Sequence, residues 1–198
     1  MNAPRRVVLA TGNVGKLREI AALLAPLAIE VIPQTVLGID PAEETGTTFE
    51  ANALLKARHA SRAASLPALA DDSGIEVDAL GGRPGVWSAR YAGAYASDAD
   101  NNALLLKELA AVRESERSAR YRCVIAYVRD AADPAPLVAR GSWEGRIGTV
   151  PAGKGGFGYD PLFIPQGGEH TAAQMSAADK NAVSHRGIAL AGLVALLR

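Results

Sequence analysis

Apolar positions recur along this chain in two rhythms, one of strands and one of helices. Arg6 to Ala10 is a short β-branched run and reads as a buried strand. Leu17, Ile20, Ala21 and Leu24 then follow at helical spacing up to Pro26, and Glu30 to Ile32 reads as a second strand. After a polar connection from Pro41 to Thr48, Thr48 caps an alanine-rich helix that starts at Phe49 and ends near Ser65, before Leu66-Pro67. Pro67 to Ala70 predicts a short buried strand running into an acidic turn, Asp71-Asp72-Ser73-Gly74, with Ile75 to Val77 extended beyond it. Gly81 to Gly85 is a loop, and Ser97 with Asp100 makes a capping pattern for a helix through Leu109. Tyr121 to Val128 and Leu137 to Trp143 are strand-like, joined by an Asp133-Pro134 turn. Pro151 to Pro161, dense in glycine, is loop; Ser176 with Asp179 is another cap, and Gly187 to Arg198 predicts a closing helix. No repeat, low-complexity tract or linker interrupts the pattern. It describes one α/β (α+β) domain over residues 1–198.

The 198 residues suffice for one good-sized domain, or two small lobes around a cleft. Hydrophobic residues at 48% and charged residues at 21% exclude a disordered chain. Lys and Arg balance Asp and Glu at 21 each, which argues against a nucleic-acid polymer as partner and leaves a small anion open. The single cysteine, Cys123, excludes an intrachain disulfide and a cysteine-rich zinc site; within a strand pattern it behaves as a small buried hydrophobe. Val7 to Ala10 is too short for a secretory core and Ile188 to Leu197 too short to cross a bilayer, so the expectation is a soluble, cytoplasmic protein without a membrane partner.

Several segments carry candidate chemistry. Thr11-Gly12-Asn13-Val14-Gly15-Lys16 lies between a strand and a helix, where backbone N–H groups and a lysine suit phosphate; the same segment also serves as an ordinary turn. It is not a Walker A loop, because the glycines are too close and Leu17 follows the lysine. Gly153 to Gly158 matches G-x-G-x-x-G formally, but Tyr159-Asp160-Pro161 prevents the helix that motif requires. A flexible loop presenting Phe157 and Tyr159 is the better reading, with an aromatic able to stack on a base. Glu43-Glu44 and Asp71-Asp72 are acidic pairs suited to Mg²⁺. Neighbours in an extended segment point to opposite faces, so Asp71 and Asp72 cannot do the same job. Lys56 shares a helix face with Asn52. His59 and His170 read as surface residues, and His185-Arg186 alone would pass for cations at a helix C-terminus.

Together these segments resemble the inosine/xanthosine triphosphate pyrophosphatase family. The resemblance rests on Thr11 to Lys16, Thr48 to Ala53 with Lys56-Ala57, Ala70 to Gly74, Pro84-Gly85 with Ser88 to Tyr91, Gly155 to Pro161, and Ser184 to Gly187. It implies an elongated mixed sheet with flanking helices, two lobes around a central nucleotide cleft, and a homodimer. It also implies Mg²⁺-dependent cleavage of ITP, dITP and XTP between the α- and β-phosphates, giving the monophosphate and pyrophosphate. By position, Thr11, Gly12, Asn13, Val14, Gly15, Lys16 and Lys56 would hold the triphosphate, and Glu44, Asp71 and Asp72 the metal. Asp72 would be the base for water and Ser73 a substrate contact. Phe157, Gly158, Tyr159, Asp160, Lys180, His185 and Arg186 would surround the purine, whose C6 oxygen the cationic donors would read. Two alternatives remain at this stage: a nucleotide sensor without turnover, and a related pyrophosphatase of pyrimidine nucleotides.

Overall fold

The computed structural model describes residues 5–25 and 29–197; the expected helix end at Pro26, the Met1–Pro4 segment and Arg198 lie outside the described residues. In chain order the elements are β1 (Arg5–Leu9), α1 (Val14–Leu24), β2 (Ile29–Pro33), α2 (Phe49–Ala64), β3 (Ala68–Val77), α3 (Asp98–Glu108), β4 (Ser118–Val128), β5 (Leu137–Ile147), β6 (Phe163–Pro165), α4 (Ala177–Val183) and α5 (His185–Leu196). The strands form one mixed sheet in the order β2-β1-β3-β4-β5-β6. β1 runs parallel to β2 and β3, and β5 antiparallel to β6. A mixed sheet flanked by helices is the expected fold class. The chain divides into two compact units, one of Met1–Asp72, Cys123–Gly141 and Arg186–Arg198, the other of Ser73–Arg122 and Ser142–His185.

Strand alternation builds the first unit. Val7, Leu9, Leu69, Cys123, Ile125 and Tyr127 share a cluster with Ile20 and Leu24 of α1 and Leu190 and Leu193 of α5. The alternate residues Val8, Ala10, Ala68, Ala70, Val124 and Ala126 pack instead with Ala53, Ala57 and Ala60 of α2. Helices α1 and α5 therefore cover one face of the sheet and α2 the other. Every odd-numbered β3 residue in this unit looks toward α1 and α5, every even one toward α2. The second unit has its own core, with Ile75 and Val77 of β3, Leu105 of α3 and Leu109 at its C-cap, Tyr121, Trp143 and Phe163.

Local capping chemistry sets the helix starts. The Thr48 side chain accepts from Ala51 N at α2, Ser97 and Asp100 form a full capping box at α3, and Ser176 accepts from Asp179 N at α4. The strands depart from expectation. Asp71 to Gly74 is not a turn: β3 runs unbroken from Ala68 to Val77, because its acidic side chains find cations while its backbone keeps the ladder. β4 begins at Ser118 and β5 continues past Trp143 to Ile147. β6 has no signature in the sequence, because Phe163–Pro165 is too short to show alternation. α5 starts at His185, so His185 and Arg186 open a helix rather than close one. Among the described residues no helix is long and apolar enough to cross a membrane.

Cys123 is buried in the first unit, and burial, with Asp71 nearby, pushes its thiol up to about 12. A thiol reagent at pH 8 should leave the folded protein unlabelled over minutes and modify the cysteine fully in denaturant. Rapid labelling of the native protein would contradict this packing.

Candidate active site

The centre of the first unit's polar cluster is the Asp71-Asp72 step on β3, where both residues are buried, at 1% and 5% exposure. Alternation turns them to opposite faces. Asp71 looks toward α1 and α5: its Oδ2 lies 3.1 Å from Lys16 Nζ and accepts from Arg186 Nη2 at 3.2 Å and Nε at 3.3 Å. Arg186 Nη1 donates to Glu19 of α1. Asp72 looks toward α2: its Oδ1 accepts from Lys56 Nζ at 2.8 Å and its Oδ2 from Asn52 Nδ2 at 3.2 Å. Lys56 Nζ also donates to Glu44 Oε1 at 2.7 Å, whereas Glu43 is exposed.

The two neighbouring carboxyls are driven apart in acidity. Burial is the largest influence on each and raises both. At Asp71 the charges of Lys16, Arg186 and Lys56 more than offset it and hold the carboxyl well below the ordinary range. At Asp72 burial prevails over Lys56 and Lys16, Glu44 adds to it, and the carboxyl is raised. Burial would lower Lys56, but Asp72, Asp71 and Glu44 outweigh it and the ammonium is stabilised. One acid is thus a fixed anion and the other a stronger base, the pattern by which adjacent carboxyls take different roles.

The Thr11–Lys16 segment is only partly loop. Val14, Gly15 and Lys16 form the first turn of α1, and Asn13 caps it, accepting from Lys16 N at 3.0 Å. Asn13 N in turn donates to Thr11 Oγ1 at 3.1 Å, while Gly12 and Asn13 stay exposed. The first-turn N–H groups of Val14 and Gly15 have no acceptor within the helix. Ser73 follows Asp72 on β3 and is half-buried.

Asp160 organises the second unit's polar cluster. Its Oδ2 accepts from Lys180 Nζ at 2.6 Å and from Phe157 N at 2.9 Å, and its Oδ1 from the Tyr121 hydroxyl at 3.3 Å. Gly156 has φ +71°, and a Cβ there would lie 2.0 Å from Asp160 Oδ2, so the turn requires glycine. Helix α3 grips the next peptide, Gly158 N donating to Asp98 Oδ2 at 2.6 Å and Asn102 Nδ2 to Gly158 O at 2.8 Å. Lys180 Nζ stands 4.9 Å from the centre of the half-buried Phe157 ring. His185 stacks on Tyr121 with ring centres 4.6 Å apart and planes at 7°.

Two expectations change here. Tyr159 is not presented by the loop: it is buried in the core and its hydroxyl donates to Ser88 O at 2.8 Å, because its ring completes the apolar cluster. Arg186 does not side with His185. Successive helix residues diverge by about 100°, which sends the imidazole to Tyr121 and the guanidinium to Asp71 and Glu19.

The Ham1 family model matches residues 7–196. This chain belongs to the Ham1 family. It is 54% identical over 194 residues to a dITP/XTP pyrophosphatase of Escherichia coli (strain K12), covering 98% of each protein. It is 58% identical over 187 residues to a dITP/XTP pyrophosphatase of Erwinia tasmaniensis, covering 94% of this chain and 91% of that one. The solved structure of a HAM1 protein from Coxiella burnetii matches with a TM-score of 0.90 at 49% identity, over 98% of each chain.

In this Ham1 protein the structure places Lys16, Lys56, Glu44 and the Asp71-Asp72 pair, all singled out in the sequence, together in one unit, and Phe157, Asp160, Lys180 and His185 together in the other. Glu19, Asn52 and Tyr121 join these clusters without having stood out as site residues in the sequence. The first two had a local signal: Glu19 lies one helical turn beyond Lys16, and Asn52 one turn before Lys56. Tyr121 had none beyond its place in a strand.

Proposed function

We propose that this Ham1 protein, working as one domain over 1–198, hydrolyses dITP, ITP and XTP to the nucleoside monophosphate and pyrophosphate. The observation that carries the chemistry is the convergence of Glu44 and Asp72 on Lys56, beside an Asp71 neutralised from the other face. The choice of substrate follows the relatives named dITP/XTP pyrophosphatase.

Among the described residues no group of three or more acids, histidines or cysteines forms a metal cage. Glu44 and Asp72 nevertheless meet at a single cation, the Lys56 ammonium, and so fit Mg²⁺, which takes one or two carboxylates and completes its shell with water and phosphate. When bound, Mg²⁺ would neutralise polyphosphate charge there, while Asp71 stays paired with Lys16 and Arg186 on the other face of the strand. Lys16, Lys56 and the first-turn N–H groups of α1 hold the phosphates, and the lysines offset the charge that grows on the departing pyrophosphate. Asp72, raised by burial, accepts the proton of the attacking water. Water oxygen bonds to phosphorus, the bridging P–O bond breaks, and its electron pair leaves with pyrophosphate.

For the base, Phe157 offers a ring face, while Lys180 and His185 are donors toward the C6 oxygen of hypoxanthine or xanthine. Adenine carries an amino group at that position and leaves those donors unmatched, a mismatch that buried sites penalise strongly. The same reading includes a homodimer, for which Trp87 at 57% and Tyr95 at 102% exposure supply apolar surface, and a cytoplasmic location beside the nucleotide pool. Pyrophosphate release from dITP, ITP, XTP, dATP, dGTP and UTP with Mg²⁺ is the test. We expect dITP and XTP to lead; no release from any, or a lead by UTP, would overturn the reading.

Lys16→Met and Lys56→Met keep the apolar stems and remove the charges. Each should lower kcat/KM for dITP at least about tenfold, or about 1.4 kcal/mol of transition-state stabilisation. Steady-state kinetics of both variants decide it, and unchanged values would return these lysines to a purely structural role.

A further inference from the structure

Asn52 lies on α2 with 0% exposure, an uncommon place for an amide side chain unless it is fully engaged. Its Oδ1 accepts from Gly46 N at 2.8 Å and its Nδ2 donates to Asp72 Oδ2 at 3.2 Å. The backbone donor fixes which end of the amide is oxygen, so the amide must present N–H to Asp72. The approach at Gly46 is close: a Cβ there would lie 2.6 Å from Asn52 Oδ1 and 2.9 Å from Ala51 Cβ. Gly46 sits just after Glu44 on the segment leading into α2, so one amide ties the segment carrying Glu44 to the strand carrying Asp72. Lys56, one turn further along α2, bonds Glu44 Oε1 and the other oxygen of Asp72, Oδ1.

We propose that Asn52 is a positioning residue for the reaction, holding the Glu44 segment and the Asp72 carboxylate in one fixed relation so that the two acids serve a divalent cation and a water together. The proposal rests on the hydrolytic reading above. It assigns Asn52 no contact with substrate. Of the groups that hold phosphate, Lys16 and the α1 first turn are not tied to it and only Lys56 shares its acids, so its loss should fall mainly on turnover and little on substrate affinity.

Three variants test this. Asn52→Asp keeps the acceptor for Gly46 N and places an oxygen against Asp72; Asn52→Ala removes both bonds; Gly46→Ala forces the segment away while leaving the donor to Asp72 intact. Each is compared with the parent in kcat and KM for dITP, in calorimetric binding of Mn²⁺ without nucleotide, and in thermal melting. We expect kcat to fall tenfold or more in all three, KM for dITP to stay within about threefold, and Mn²⁺ binding to weaken at least fivefold in protein that is still folded at the assay temperature. Unchanged kcat and Mn²⁺ binding, or a KM rise at constant kcat, would overturn the proposal. A drop in activity that merely tracks the unfolded fraction would overturn it too. If the parent releases no pyrophosphate from dITP, the hydrolytic reading fails instead, which the Mn²⁺ comparison separates from failure at Asn52.

Discussion

Replacing Asp72 by asparagine should lower kcat for dITP by roughly 10²–10⁴-fold, the range typical of a positioned general base. The amide keeps the size of the carboxyl and can still face Lys56 and Asn52, whose donors lie 2.8 Å and 3.2 Å from the native oxygens. What it loses is the basic oxygen, together with one negative charge. Lys16 and Lys56 remain, and a less negative cluster is no worse at holding an anion, so KM should change only a few-fold. Asp71→Asn is the matched control. Asp71 is held deprotonated by Lys16, Arg186 and Lys56 against its own burial, and losing its charge takes from the buried guanidinium of Arg186 one of its two carboxylate partners, Glu19 being the other. That variant should lose more stability than Asp72→Asn and less turnover per folded molecule. Kinetics with dITP beside melting curves for the two variants settle the assignment; the reverse ranking would exchange the roles of the two acids.

This assignment was partly legible in the sequence. Period-two alternation alone separates Asp71 from Asp72, and the structure fills each side with different cations. The starts of α2, α3 and α4 were equally legible, since a cap is a contact across only a few residues. The continuity of β3 was not. Asp-Asp-Ser-Gly is turn chemistry by composition, and only partners far away in the chain make an extended path cheaper. Arg186 shows the same limit, since its partner Asp71 is 115 residues away. Cations at the start of a helix oppose its dipole, so a local rule puts His185-Arg186 at a helix end. Their place in the first turn of α5 breaks that rule, and the carboxylates of Asp71 and Glu19 compensate Arg186 for it. Such local conflicts concentrate at functional sites.

Arg186→Ala should therefore be a variant of both stability and turnover, without a preference among bases. Arg186 is 1% exposed, and its removal leaves Asp71 to Lys16 and deprives Glu19 of a cationic partner. Breaking a buried pair from one side costs about 3–5 kcal/mol. In a chain of this size each kcal/mol moves the melting temperature by about 2–4 °C, so the midpoint should fall by on the order of 10 °C. A cycle with Glu19→Gln reads the coupling directly. In the parent protein Glu19→Gln weakens a charge-assisted bond and should destabilise. In the Arg186→Ala background it removes one of two carboxylates left without their shared cation, and should stabilise. Because the guanidinium faces acids, kcat/KM for dITP and dATP should fall by similar factors and their ratio stay within about threefold. If the ratio instead narrows tenfold while the cycle shows no coupling, Arg186 leaves Asp71 during the reaction and reads the base.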